Sequence, residues 1–260
     1  MILIATGLKQ ELNILEGVGV LVIAGGGDSA RLEWELEAAA GDAEAVLSMG
    51  LCGALAPDLK PGDWVVATEV FLNPLIPAKA GTQAFLSDFP NSAESPEKNL
   101  GPRLRADERN IFTDTDWSAS LVKELRAQTG PMLGSDTMIA DADVKRGAHA
   151  ATGAIAVDME SHIAAAVARR HDRPFAVARV VSDASNRSLP RAAQAGMAAD
   201  GSMDIGAVLK SLAADPRQLP ALMRVGAEAG KAFRELRRGR DFLGPGLGRL
   251  DLVQHLLDMP

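Results

Sequence analysis

The chain has 260 residues, 47% of them hydrophobic and 23% charged, so a core can be buried and global disorder is excluded. Its net charge of −7 argues against a nucleic-acid binder, which would show a basic footprint. The single cysteine, Cys52, excludes an internal disulfide framework and fits a reducing compartment.

The opening Met1–Ala5 (MILIA) is too short for a secretory h-region and lacks a basic start. No apolar run reaches ~18 residues. The expected location is therefore cytoplasmic. Ile2–Thr6 reads as a continuously apolar strand, followed by Gly7. Glu11 then falls in the first turn of a helix, where it either complements the helix dipole or overhangs the sheet edge. Val20–Ala24 reads as a second strand, followed by Gly25, Gly26 and Gly27. Through Ala30 this stretch fits G-x-G-x-x-[G/A], with Glu44 beyond it. Such a turn offers backbone N–H groups to a phosphate, and tight packing explains the glycines equally well. Ser29–Ala40 carries Leu32, Leu36, Ala39 and Ala40 at helical spacing.

Ala45–Met49 reads as a third strand, followed by Gly50. The small residues from Ser48 to Ala54 permit close approach of a ligand or close packing. Cys52 among them reads as a small buried residue. Trp64–Phe71 is a fourth strand. Asn73–Phe112 then holds five of the fourteen prolines (Pro74, Pro77, Pro90, Pro96 and Pro102). It is expected to be an inserted flexible surface loop, with a lid as the alternative. Ser118–Gln128, Asp141–Ala151 and Ser161–His171 follow as helices, with strands at Ala154–Val157 and Phe175–Val181. Beyond Pro190 the expected helices are Met203–Ala213, Pro216–Arg238 and Leu247–Leu257. The middle one is amphipathic and basic, so it either packs on the domain or lies on a membrane surface.

Runs that are apolar throughout imply strands buried on both faces. Alternation of strands and helices implies an α/β three-layer sandwich, a mainly parallel twisted sheet flanked by helices. The expected domains are 1–190, carrying the 73–112 loop, and a helical extension over 191–260 packed on it. Ligands in such folds gather beyond the carboxyl ends of strands. Glu160 begins a helix beyond one strand and Asp183 ends the next, so with Glu11 three acids converge on one edge. Acids sharing a pocket repel, and one tends to hold a proton near neutrality. That suits general-acid help to a leaving group, as in glycosidic cleavage. No metal is expected, because His149, His162, His171 and His255 show no paired ligand spacing.

Ala156–Glu160 (AVDME) and Val180–Asp183 (VVSD), with Leu133–Ile139 (LGSDTMI) between, resemble signatures of the nucleoside phosphorylase and nucleosidase superfamily. The likeness covers Met1–Phe71 and Pro131–Pro190. ILIATGLKQE, VIAGGGDSARLE, VDMESH and RVVSDASNRSLP are similar to its hopanoid-associated phosphorylase branch, as are Gly206–Leu212 and Pro216–Leu222. The resemblance implies release of adenine from adenosylhopane by phosphorolysis. The alternative is a hydrolytic nucleosidase of the methylthioadenosine/adenosylhomocysteine type. It implies Asp183 as the acid toward purine N7, Glu160 on the ribose hydroxyls and Glu11 positioning a water. Met159 would lie under the sugar, Met138 beside the base and the Ile139 backbone at the purine edge, with Ser182 and Gly50 completing the substrate site. Where phosphorolytic relatives carry an arginine and a serine around the third strand's glycine, this chain has Ser48 and Leu51. Thr6, Gly7, Lys9, Gly26, Gly27 and Arg31 are the substitute phosphate candidates.

No cofactor is expected, and phosphate would enter as co-substrate. The expected partners are an adenine nucleoside with a lipid tail, phosphate or water, further copies of the chain in a homodimer or higher homo-oligomer, and the inner face of a membrane; nucleic acid is not among them. Two other classes compete: a dinucleotide-binding oxidoreductase, from the triple glycine, and a non-catalytic nucleoside-binding protein.

Overall fold

The computed structural model describes residues 1–72, 110–196, 201–202 and 204–249. Most of the expected 73–112 insertion, Met203 and the 250–257 part of the last expected helix lie outside the described residues. The strands are β1 Ile2–Thr6, β2 Val20–Ala24, β3 Ala45–Ala54, β4 Trp64–Leu72, β5 Asn110–Phe112, β6 Gln128–Gly134, β7 Ala156–Asp158 and β8 Phe175–Asp183. The helices are α1 Lys9–Leu15, α2 Ser29–Ala40, α3 Thr115–Leu125, α4 Ala142–Thr152, α5 Ser161–Arg170, α6 Arg191–Ala195 and α7 Ile205–Ala214. A 3₁₀ turn at Pro216–Gln218 then leads into α8, Leu219–Leu243.

The sheet runs β2-β1-β3-β7-β6-β4-β5, and β8 bridges β3 and β4. Pairings β1/β2, β1/β3, β3/β8, β4/β6 and β6/β7 are parallel. Those of β3/β7, β4/β5 and β4/β8 are antiparallel. The sheet is therefore mixed, and it closes on itself through β3, β8, β4, β6 and β7. Strand β3 makes this closure. It pairs with β1 only over Ala45–Ser48, and its far end carries Gly53 and Ala54 across to β7. A register shift between Cys52 and Gly53 supplies the bend.

Successive β1 residues point to opposite faces. Leu3 and Ala5 join α2 and α5 residues such as Leu36 and Ala164 in one cluster. Ile2 and Ile4 join Leu15 of α1, Leu121 of α3 and Leu236 of α8 in the other. Each fully buried aliphatic side chain contributes roughly 1.5–3 kcal/mol, and the two clusters hold the helices on both faces. Helix α8 is held further by Arg240, whose Nε donates to the Leu15 carbonyl at 3.1 Å.

Several boundaries differ from those expected. Helix α3 starts three residues early because Asp114 caps it, accepting from Trp117 N at 2.8 Å. It stops at Leu125 because Arg126 adopts a left-handed backbone, φ 52°. Gln128 consequently begins β6 rather than ending a helix. Strand β8 runs on to Asp183, since β3 pairs with it that far.

Candidate active site

The β1–α1 turn places the first acid. Glu11 is the third residue of α1 and reaches back over the turn, as in half of a capping box. Its Oε2 accepts from Thr6 Oγ1 at 2.6 Å and from the Gly7 and Leu8 amides at 2.7 Å. Its Oε1 accepts from Leu51 N at 2.8 Å. Glu160 approaches the same turn from β7. A Cβ added to Gly7 would stand 2.9 Å from Glu160 Oε1 and 3.3 Å from Glu11 Oε2. Only a glycine lets the backbone pass between the two carboxyls.

Beneath them lies Arg179, on β8 opposite Gly50 of β3 and completely buried. Its Nε sits 2.8 Å from Asp158 Oδ2, an ion pair too bent to be a hydrogen bond. Nη1 lies 3.1 Å from Glu160 Oε2 and donates to the Leu51 carbonyl, and Nη2 donates to Ser48 Oγ at 2.6 Å. Ser161 ties the far side together, its hydroxyl donating to Asp158 and meeting Ser48 Oγ at 2.8 Å. A side chain at Gly50 would collide with this assembly, 2.7 Å from Thr6 Oγ1 and 2.8 Å from Arg179 Nη1.

Burial, reinforced by Asp158 and Glu11 and opposed by Arg179, pushes the Glu160 carboxyl up to about 8. For Arg179 burial opposes the charge, but Asp158, Glu160 and Glu11 outweigh it and raise the pKa above the ordinary value. Burial, chiefly, raises the Cys52 thiol far above the range of a reactive thiolate.

Asp183 stands three β3 residues beyond this cluster, opposite Gly53 rather than Gly50. At ~3.3 Å rise per residue that is roughly 10 Å along the strand. Ser182 Oγ donates to Asp183 Oδ1 at 2.7 Å, and the Lys145 ammonium is paired with Oδ2. A cavity of about 200 Å³ opens beside Asp183, walled by Arg187, Leu189, Arg224 and Glu228. A larger cleft of about 380 Å³ touches Ile111, Arg169 and Phe175, at the opposite end of β8 from the acids. Met138 and Met159 are half-buried and Ile139 is buried.

The phosphate candidates are largely engaged. Thr6 Oγ1 and Gly7 N serve Glu11. Gly26 N donates to the Gly7 carbonyl at 2.8 Å, and Lys9 N to Gly201 at 3.1 Å. Arg31 turns its guanidinium to Glu35 and to the Ala24 and Gly25 carbonyls. Gly27 is exposed with φ 83°. Among the described residues no group of three His, Cys, Asp or Glu could hold a metal ion.

Sequence reasoning missed Arg179, Asp158 and Lys145 as parts of the site. The available signal for Arg179 was one arginine inside an otherwise apolar strand, which demands a buried partner.

The model of the phosphorylase superfamily matches residues 17–214. No curated protein matches. Among solved structures the chain is similar to 5′-methylthioadenosine/S-adenosylhomocysteine nucleosidase from Colwellia psychrerythraea in complex with adenine, at 21% identity and TM-score 0.56, covering 81% of this chain and 95% of that one. It is also similar to the Helicobacter pylori nucleosidase of the same name, at 18% identity and TM-score 0.54, over 91% and 96% of the two chains. Helicobacter pylori futalosine hydrolase gives 19% and 0.54, over 82% and 97%. At these identities the likeness is one of fold.

Proposed function

The chain belongs to the phosphorylase superfamily, and from that premise we propose that it cleaves the N-ribosidic bond of an adenine nucleoside and releases adenine. The observation that carries the reading is the meeting of Glu11 and Glu160 at Gly7, with Asp183 further along the same strand edge. Cleavage of C1′–N9 builds positive charge on the sugar and sends an electron pair to the base. Acids grouped at one end and a separate acid at the other match those two needs. Asp183 gives a proton to N7, help typically worth ~10²–10⁴-fold. Glu160, protonated near neutrality, both donates to and accepts from the ribose hydroxyls, and the growing cation favours its ionised form. Arg179 holds Glu160 and Asp158 in place. Met159 would lie under the sugar, with Met138 and Ile139 at the base.

The resemblance to the hopanoid-associated branch favours adenosylhopane as substrate and phosphate as nucleophile. One observation favours water instead. Thr6, Gly7, Leu8 and Leu51 direct their donors at the Glu11 carboxylate, which stands where an anion would otherwise be held. Glu11 would then orient the water. A lipid-tailed substrate suits the C-terminal helices, which expose Ile205, Leu209, Leu219 and Met223 with Lys210 and Arg217 close by in sequence. Sedimentation with anionic vesicles tests that contact, and protein left wholly in the supernatant removes it.

The deciding experiment incubates the protein with adenosylhopane and with 5′-methylthioadenosine, each with and without phosphate. Adenine is followed by chromatography and the sugar product by mass. Release of adenine from neither nucleoside overturns the reading. Equal rates without phosphate, with a free sugar product, exclude obligatory phosphorolysis. Asp183→Asn should lower turnover ~10²-fold or more while adenine still binds.

A further inference from the structure

Lys145 is one of the two largest fully buried side chains in the described protein, the other being Arg179. It sits in the first turn of α4, where the helix dipole disfavours a cation. Burying an ammonium there is costly unless it is fully paired. The pairing is complete: Nζ donates to Asp183 Oδ2, to the Ala184 carbonyl at 3.2 Å and to the Arg187 carbonyl at 3.3 Å. All three N–H bonds of the ammonium are thereby used. Asp183, the group assigned above to protonate the base, is thus bonded in the resting protein to a donor that stabilises it as a carboxylate. A carboxylate has no proton to give.

We infer that Lys145 is the proton reservoir of the site, passing its proton through Asp183 to the departing base. The inference rests on the proposed N-ribosidic cleavage. In the step, an Nζ–H bond of Lys145 breaks and Oδ2–H of Asp183 forms. Then Oδ2–H breaks and N7–H forms as the C1′–N9 electron pair moves to the purine. Lys145 is left as a neutral amine and regains a proton from solvent, to which the attacking nucleophile has released one. Ser182 accommodates the change. Its single hydroxyl proton has two acceptors in reach, Asp183 Oδ1 at 2.7 Å and the Cys52 carbonyl at 3.0 Å. It serves the carboxylate in the resting state and swings to Cys52 when the carboxyl is protonated.

The pair holds one transferable proton between two basic groups, so Asp183 is supplied without waiting for a proton from neutral or alkaline solution. The other titratable or charged groups beside it are the Cys52 thiol on β3, the Arg187–Glu228 pair and Arg224 on α8, with Asp141 capping the helix that carries Lys145. Cys52 is held protonated by its burial.

The test is the kcat/KM profile from pH 5 to 9, with 5′-methylthioadenosine and adenosylhopane in parallel. Lys145→Met should lose ~10²-fold at pH 8 and regain most of it toward pH 5, where protons from solvent are more abundant. Lys145→Arg keeps the positive charge but gives up no proton, and should be slow at every pH. A pH-independent loss in Lys145→Met, or full activity in Lys145→Arg, overturns the inference while leaving the cleavage reading intact. Undiminished turnover in Asp183→Asn overturns the inference together with the assignment of Asp183 as the acid, and a wild type that neither turns over nor binds adenine overturns the cleavage reading as well.

Discussion

Replacing Arg179 by methionine tests the electrostatic logic of the Glu11–Glu160 cluster. The guanidinium is wholly buried, 2.8 Å from Asp158 and 3.1 Å from Glu160, and also bonds the Leu51 carbonyl and Ser48. Methionine fills similar space but leaves two carboxyls without their counter-ion and two polar groups without their donor. Breaking a buried pair in this way costs about 3–5 kcal/mol, so a loss near 4 kcal/mol is expected at pH 8. The loss should be nearly the same at pH 5, smaller by only about 0.4 kcal/mol, because the wild-type Glu160 carries the same proton below pH 8 and is half-deprotonated at pH 8. Glu160 already titrates near 8 with Arg179 pulling it down, so without the cation it titrates higher still. The folded variant then holds a proton that the unfolded chain, with its carboxyl at the ordinary value, releases above about pH 4.5. Stability is fully present below that pH and is lost as pH rises. Urea unfolding at pH 5 and pH 8, followed by fluorescence of buried Trp64 and Trp117, measures both quantities. A loss under about 1 kcal/mol at both pH values, or a larger loss at pH 5, refutes the reasoning.

The same linkage applies to the unaltered protein. Because Glu160 is raised to about 8, its contribution to stability should decline between about pH 4.5 and 8, by up to about 1.4 kcal/mol per unit. Glu160→Gln, which stays neutral, should flatten that slope in urea titrations while lowering adenine release; an unchanged slope contradicts the assignment. Gly50→Ala would drive a methyl group to 2.7 Å from Thr6 Oγ1 and 2.8 Å from Arg179. It should destabilise by about 1–3 kcal/mol and abolish turnover, and a variant that melts and works like wild type would show that the backbone has room to move.

The fold was legible where one face of an element decides its structure. Ser29–Ala40 is a helix over the expected residues because Asp28 caps it and Leu32 and Leu36 share a buried face. β1 is legible because a parallel strand buried on both sides needs an unbroken apolar run. β2 carries the same run although it lies at the sheet edge with Leu21 exposed, so there the expected burial on both faces does not hold. β6 was not legible, since Gln128–Gly134 contains Gly130, Pro131 and Gly134, which locally signal a break. Its place between β4 and β7 overrides that preference. The extension of β3 through Gly50 and Gly53 was hidden for a similar reason. Glu11, Glu160 and Asp183 could be placed at one edge from strand ends alone. Their partners could not, because Arg179 lies inside an apolar strand and Lys145 on a helix where lysine ordinarily faces water. Which side of an element faces the core is settled by long-range pairing.

Those partners change what the acids can do. The charged side chains buried among the described residues are Glu11, Asp158, Glu160, Asp183, Lys145 and Arg179. Lys145 and Asp183 neutralise each other, leaving three carboxyls around one guanidinium in the Glu11–Glu160 cluster. Three ionised carboxyls there would leave an excess of two negative charges in a poorly solvated site, which is costly. Glu160 relieves half of that by holding a proton. What remains is one uncompensated negative charge, facing the place where the proposed reaction develops one positive charge. The site is thus out of balance while empty or holding a neutral nucleoside. It comes into balance as the sugar becomes cationic, which is the condition for binding a transition state more tightly than a substrate.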